Sequence, residues 1–269
     1  MKKIFFYTVL SVGAFAFIYP FVWMISASLS SERGLADLIF FPIEFTLKNY
    51  VQLVESIPIF RALLNSLVVA GAVTSGVLVF GSMVGYALAK HRFKGRNFLF
   101  YVIIFTMTLP FQITLIPNYI LMVEFGWVNS FAALIMPALL NAFAILLFRQ
   151  HFMTIPQDLI DAAKIDGCSE LRILFQVLWP ISIPTLVTVG IITFMSSWND
   201  VLWPIIVIRD ENLMTMPQLV TLFVVGGRAM GQLSVKLASA TMLALPIIIT
   251  YLIFQKYFIQ SMASSGLKE

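Results

Sequence analysis

The segment Asp161-Ala162-Ala163-Lys164-Ile165-Asp166-Gly167, followed by Val177-Leu178-Trp179-Pro180, has residue types and spacing that could do specific work. Two carboxylates, Asp161 and Asp166, flank the small Ala162 and Ala163, and the run ends on a glycine. Such charges are either solvated or paired with basic groups on another molecule. Small side chains let a second surface come close. The chemistry suggested is docking, not bond making. A second polar point, Trp198-Asn199-Asp200 with Trp203 beyond it, lies where an apolar run ends. A charge at membrane depth is costly and by default marks a cavity or pathway. Reactive constellations are missing. His91 and His151 sit beside basic residues with no third ligand at metal spacing. No nucleophile and base are paired, and no GxxxxGK[ST] phosphate loop occurs. The single cysteine, Cys168, excludes an internal disulfide framework.

These points must be positioned by a membrane scaffold. Apolar residues make up 60% of the 269 and charged ones only 11%, with a mean hydropathy of +0.94. A soluble domain carries roughly 25% charged residues, so hydrocarbon is the solvent for most of this chain. Runs 4–28, 62–89, 98–123, 125–148, 173–199 and 237–255 lack Asp, Glu, Lys and Arg. About 20 such residues cross a hydrocarbon core as a helix, whereas a β-barrel would show alternating segments of about ten. The expectation is an all-α polytopic protein, a single domain over 1–269. Its spans are placed near 4–28, 62–89, 98–123, 125–148, 180–208 and 237–258, with a polar loop at 150–179. The first run is too long for a signal-peptide core and reads as an uncleaved span.

Lys and Arg in short loops set orientation. With the N-terminus inside, Lys2, Lys3, Lys90, Arg92, Lys94, Arg96, Arg149, Lys164, Arg172, Lys256 and Lys268 are cytoplasmic. Arg33, Lys48, Arg61, Arg209, Arg228 and Lys236 are then outside, so 11 of 17 lie within. Both termini are expected in the cytoplasm. Pro20, Pro110, Pro117, Pro137, Pro184 and Pro246 fall in apolar runs, where each removes a backbone donor and favours a kink. Gly81 and Gly85 form a GxxxG, a spacing that permits close helix approach.

The loop has its own local logic. Pro156 suits a helix start, residues 157–165 are good helix formers, and Gly167 can take positive φ to end that helix. A second short helix, 169–178, is expected before Pro180. Asp161-Ala162-Ala163, three residues, Gly167, nine residues, Val177, one residue, then Trp179-Pro180 resembles the EAA loop of ABC-importer permeases. That pattern reads Glu-Ala-Ala, a gap, Gly, a longer gap, Ile-x-Leu-Pro. Here Asp161 stands for Glu, Val177 for Ile and Trp179 for Leu, keeping charge and apolar character. Trp198-Asn199-Asp200 with Trp203-Pro204 is similar to carbohydrate-uptake permeases of the maltose-transporter class. Gly266-Leu267-Lys268 is similar to the tail of their smaller permease subunit.

The resemblance implies a type I importer permease fold in a bacterial or archaeal cytoplasmic membrane. It implies a second homologous permease subunit, two ATP-binding-cassette subunits holding ATP and Mg, and an extracytoplasmic solute-binding protein. Asp161, Ala162, Ala163, Asp166 and Gly167 would form the coupling helix seated on the ATPase, and the substrate would be a sugar or oligosaccharide. No cofactor is expected in this chain and no catalysis by it.

Candidate pathway residues are Trp198, Asn199, Asp200, Trp203, Asn118 and Gln112. Trp198 and Trp203 could stack on sugar faces or act as interfacial anchors. Asn118 and Gln112, like Asn65, Asn141 and Gln218, could instead bond between helices. A straight helix from Pro180 would carry Asp200 roughly 30 Å up, while a break at Asn199-Asp200 would leave it deeper. A rival reading is an ion-coupled secondary transporter using Asp200.

Overall fold

Apolar composition becomes mostly helix among the described residues. The computed structural model describes residues 2–32, 35, 41–42, 44–227 and 232–266, and among these the β pairing is an isolated bridge between Ser30 and Phe45. The C-terminal Leu267 and Lys268, and Arg33 and Arg228 of the outer charges, lie outside the described residues. In chain order the helices are α1 (Lys2–Ser28), α2 (Lys48–Ser56), α3 (Ile59–Lys90), α4 (Arg96–Thr106) and α5 (Phe111–Glu124). Next come α6 (Phe131–Ile135), continued by a 3-10 turn at Met136–Ala138, then α7 (Ala142–Thr154) and α8 (Gln157–Ile165). After these, α9 (Glu170–Arg172) runs through a π-helical stretch, Ile173–Leu178, into α10 (Trp179–Ile181). The last are α11 (Ile183–Trp198), α12 (Leu202–Val207), α13 (Met216–Val225) and α14 (Leu233–Gly266).

Among the described residues four stretches are long and apolar enough to cross a membrane: Lys3–Ser28, Ile59–Lys90, Phe131–Thr154 and Leu233–Ile253. Two bent pairs bring the number to as many as six if each is counted as one span, α4 with α5 at 101° and Glu170–Ile181 with α11 at 90°. Prolines sit at both bends. Pro110 caps α5, and without an N–H it cannot continue α4. Pro184 occupies the first turn of α11, where a missing N–H costs nothing. Pro20, Pro117 and Pro246 lie inside helices, and Pro137 in the 3-10 turn.

Two differences from the sequence expectation bear on the site. No helix runs through 180–208: α11 ends at Trp198 and α12 begins at Leu202. The polar loop begins after Thr154, because α7 runs one turn past Arg149.

The chain divides into two compact units, each drawn from separated segments. The first comprises Met1–Leu63 with Thr215–Ile249. In it, the buried Asn49 side chain donates to the carbonyls of Ser28 (2.8 Å) and Ser30 (2.9 Å), and Glu32 accepts from the N–H and hydroxyl of Ser234. The second comprises Leu64–Met214 with Thr250–Glu269, and its core gathers Val73, Val77, Phe148, Phe152, Ile160, Ile173, Leu178 and Val207. Here the GxxxG works as spacing suggests. A Cβ on Gly85 would meet the Cβ of Phe148 at 2.6 Å, so α3 and α7 touch nearly backbone to backbone. Asn65 donates to the carbonyls of Asn212 and Met214, both at 2.9 Å. Asn141 does not bridge helices; it caps its own, accepting from the Ala144 N–H at 2.9 Å.

Candidate functional site

Local rules build the knob between α7 and α11. Pro156 sits at the N-cap of α8, Asp158 in its first turn and Lys164 in its last, each charge complementing the helix dipole. Gly167 has φ +77°, its N–H bonds to the Lys164 carbonyl at 3.0 Å, and the Cys168 N–H bonds to the Ala163 carbonyl at 3.0 Å. That pair of bonds is a Schellman ending, which favours glycine for its positive φ. Ser169 then caps α9, accepting from the Arg172 N–H, so the second helix starts at Glu170, one residue later than expected.

Packing decides which way each side chain faces. Ile160 and Ala163 are buried in the core beside Ile173, Leu174 and Leu178. Asp161, Ala162, Asp166 and Gly167 are exposed, and Ile165 is 87% exposed. Ala163 therefore does not share the outer face with Ala162, contrary to its grouping with the docking residues. Its small size lets α8 lie close to the core of its own subunit. The outer face combines two carboxylates, a small residue and an unburied isoleucine. Gln157 donates to one oxygen of Asp161 at 3.0 Å.

The knob is tied to the spans by polar contacts that the sequence did not announce. Glu170 accepts from the Tyr86 hydroxyl at 2.6 Å and from Lys164 at 2.9 Å, with His91 Nε2 at 3.5 Å. Burial opposes the charge on Glu170, but the bonds from Tyr86 and Lys164, together with His91, outweigh it and hold the carboxyl below the usual range. Trp179 Nε1 donates to Ser82 Oγ at 3.0 Å, His151 Nε2 lies 3.0 Å from Ser182 Oγ, and Lys90 Nζ donates to the Ile155 carbonyl. Among the described residues no cluster of three metal ligands occurs.

The second polar point is a helix break. Asn199 closes α11 by donating to the Met195 carbonyl at 2.8 Å. Asp200 is half-buried, and its Oδ1 accepts from the Trp203 N–H at 3.4 Å at the start of α12. Trp203 is buried, donates from Nε1 to the Ala133 carbonyl at 2.8 Å, and meets Phe111 edge-on. Trp198 is also buried, stacked on Phe194. Within this chain neither indole presents an open face, so neither is poised to stack on a ring or to anchor at an interface. Of the remaining candidates, Asn118 is half-buried and Gln112 exposed, both on α5. Gln112 follows Phe111, so the start of α5 and the Trp203 region are neighbours. A cavity of about 360 Å³ lies between α3 and α11, lined by Thr74, Leu78, Leu186, Gly190, Ile191 and Phe194 among others.

Residues 77–264 match the family described as "Binding-protein-dependent transport system inner membrane component". The chain is 36% identical to the arabinooligosaccharides transport system permease protein AraQ of Halalkalibacterium halodurans, covering 95% of this chain and 92% of that one. It is 33% identical to the AraQ of Bacillus subtilis, over 94% and 91%. To the sn-glycerol-3-phosphate transport system permease protein UgpE of Shigella flexneri it is 29% identical, over 97% and 96%. Its fold is similar to a chain in the crystal structure of a bacterial ABC transporter involved in the import of the acidic polysaccharide alginate. That match has a TM-score of 0.83, 26% identity and 96% coverage of both chains.

Proposed function

As a member of the binding-protein-dependent transport system inner membrane components, this chain is a multi-pass permease subunit of an ABC importer, and we propose that its α8–Gly167–α9 knob is the contact for the ATPase. ATP hydrolysis belongs to other subunits. The observation that carries the proposal is the two-sidedness of α8. Ile160 and Ala163 anchor it in the core, while Ile165 stands 87% exposed beside Asp161, Ala162 and Asp166. A large apolar side chain held in water at a rigid turn, flanked by carboxylates, fits a concave basic surface on a soluble partner. The charge bias of the loops supports a cytoplasmic position for it.

The working assembly is this chain with a second homologous permease, two ATP-binding-cassette subunits and an external solute-binding protein. Closure of the ATPases would carry the knobs and switch the pathway between inward and outward access. The proposed cargo is an oligosaccharide, supported by the relatives named for arabinooligosaccharides and by the alginate importer. Asp200 is given a structural part in the break above α11. Family membership lends no support to an ion-coupled mechanism through it.

The test is Asp161→Lys, which sets like charge against a basic cleft. The variant should reach the membrane at parental abundance, recover less ATPase on purification, and regain part of it with an acidic substitution in the ATPase cleft. Parental recovery and ATPase stimulation would overturn the docking proposal.

A further inference from the structure

α3 carries a row of residues at four-residue spacing, Thr74, Leu78, Ser82 and Tyr86, which makes each the neighbour of the next on a face that winds by about 40° per step. Thr74 and Leu78 line the cavity against α11. Ser82 accepts from Trp179 and Tyr86 donates to Glu170, so both ends of the stretch 170–179 are held on that face. Between these two attachments lies the π-helical stretch Ile173–Leu178, with Ile173, Leu174 and Leu178 buried. Glu170 also holds Lys164 of α8. One carboxylate thus joins both arms of the knob to the helix that walls the cavity. Tyr86 is eight residues from Leu78 and 12 from Thr74, about 12 and 18 Å along a rigid helix.

We infer that Glu170 is a positioning residue: with Tyr86 it transmits displacement of the knob to α3, and through α3 to the cavity wall. The inference rests on the knob being the ATPase contact. Solvation alone would satisfy an exposed glutamate. Here the partner hydroxyl belongs to Tyr86, which is only 4% exposed, so the bond reaches from the surface turn into the span. Tyr86 packs edge-on against Phe152 of α7 and against His91, so its ring cannot swing freely and the hydroxyl is a fixed point.

The test uses the complete transporter with its ATPases, Cys168→Ser as background, and Thr74→Cys as a reporter in the cavity wall. The probe is N-ethylmaleimide, and the readout is its labelling rate with and without ATP and vanadate. Nucleotide should change that rate in the Tyr86 parent. Tyr86→Phe, which keeps the ring packing, should recover as much ATPase yet shrink the nucleotide-dependent change by about 2- to 30-fold. Glu170→Gln should act alike, the double variant should be no worse than either single one, and Glu170→Asp should restore part of the response. An undiminished response in both single variants overturns the inference, as does a loss that only tracks loss of bound ATPase. If Asp161→Lys loses ATPase while the Tyr86 and Glu170 variants respond normally, this inference fails and the docking proposal stands. If Asp161→Lys binds and couples normally, both fail.

Discussion

Gly85→Ala should part α3 from α7, while Gly81→Ala, one turn earlier on the same face, should not. At Gly85 an added Cβ meets Phe148 Cβ at 2.6 Å, Arg149 N at 3.0 Å and Phe148 C at 3.2 Å. These atoms belong to the backbone or its first side-chain carbon, so no rotamer change relieves them. Reaching an ordinary carbon–carbon separation of about 3.5 Å requires the helices to move apart by roughly 1 Å. Overpacking of this kind costs about 1–3 kcal/mol, offset by roughly 0.5–1 kcal/mol from removing a helical glycine. At Gly81 the nearest atoms, Ala144 Cβ and the Phe148 ring, are already at 3.5 Å, so the helix gain stands alone. The two variants should therefore differ by about 1–3 kcal/mol. In a chain of this size that is a gap of about 2–12 °C in thermal midpoint, read by tryptophan fluorescence in detergent. Gly85→Ala should also loosen the Lys90–Ile155 contact that seats the knob and so weaken ATPase recovery. Indistinguishable midpoints for the two variants would refute the close-approach argument.

Gly167→Val should cost about 1–2 kcal/mol from its left-handed backbone alone, because no heavy atom lies within 4 Å of the added Cβ; Gly167→Asn should be milder. Limited proteolysis of the knob in the assembled transporter measures both. Glu170 has a folded pKa below its unfolded one, so its contribution to stability is fully present above the ordinary carboxylate value and is lost as pH falls through the lowered folded value. Thermal midpoints taken from about pH 6 down to about pH 3, bracketing a glutamate reference near 4.3, should show an acid limb that Glu170→Gln flattens. Finally, a cysteine at Lys94 should resist an impermeant thiol reagent in intact cells, and one at Glu44 or Gly227 should react. The reverse pattern would put the knob on the wrong side for an ATPase.

The features legible in the sequence were those fixed within a turn or two of chain. The apolar runs, the glycine ending at Gly167, the interruptions at Pro110 and Pro184, and the Gly81–Gly85 contact each follow from a period, a φ preference or a missing N–H. Two adjacent alanines, by contrast, look alike in sequence. That Ala163 is buried and Ala162 exposed depends on which side of α8 meets Ile173 and Leu178. The break at Asp200 was one of two readings. Tertiary contact holds it, because Trp203 of α12 donates to the Ala133 carbonyl, 70 residues earlier. Glu170 carried no signal, since its partner Tyr86 stands 84 residues away inside an apolar run where a tyrosine reads as ordinary packing. Sequence determined most of the points where helices form and stop, the break after Trp198 excepted, because those energies are local. The fold alone decided which faces are buried and which distant groups share a hydrogen bond, because such energies exist only once separate elements have been brought together.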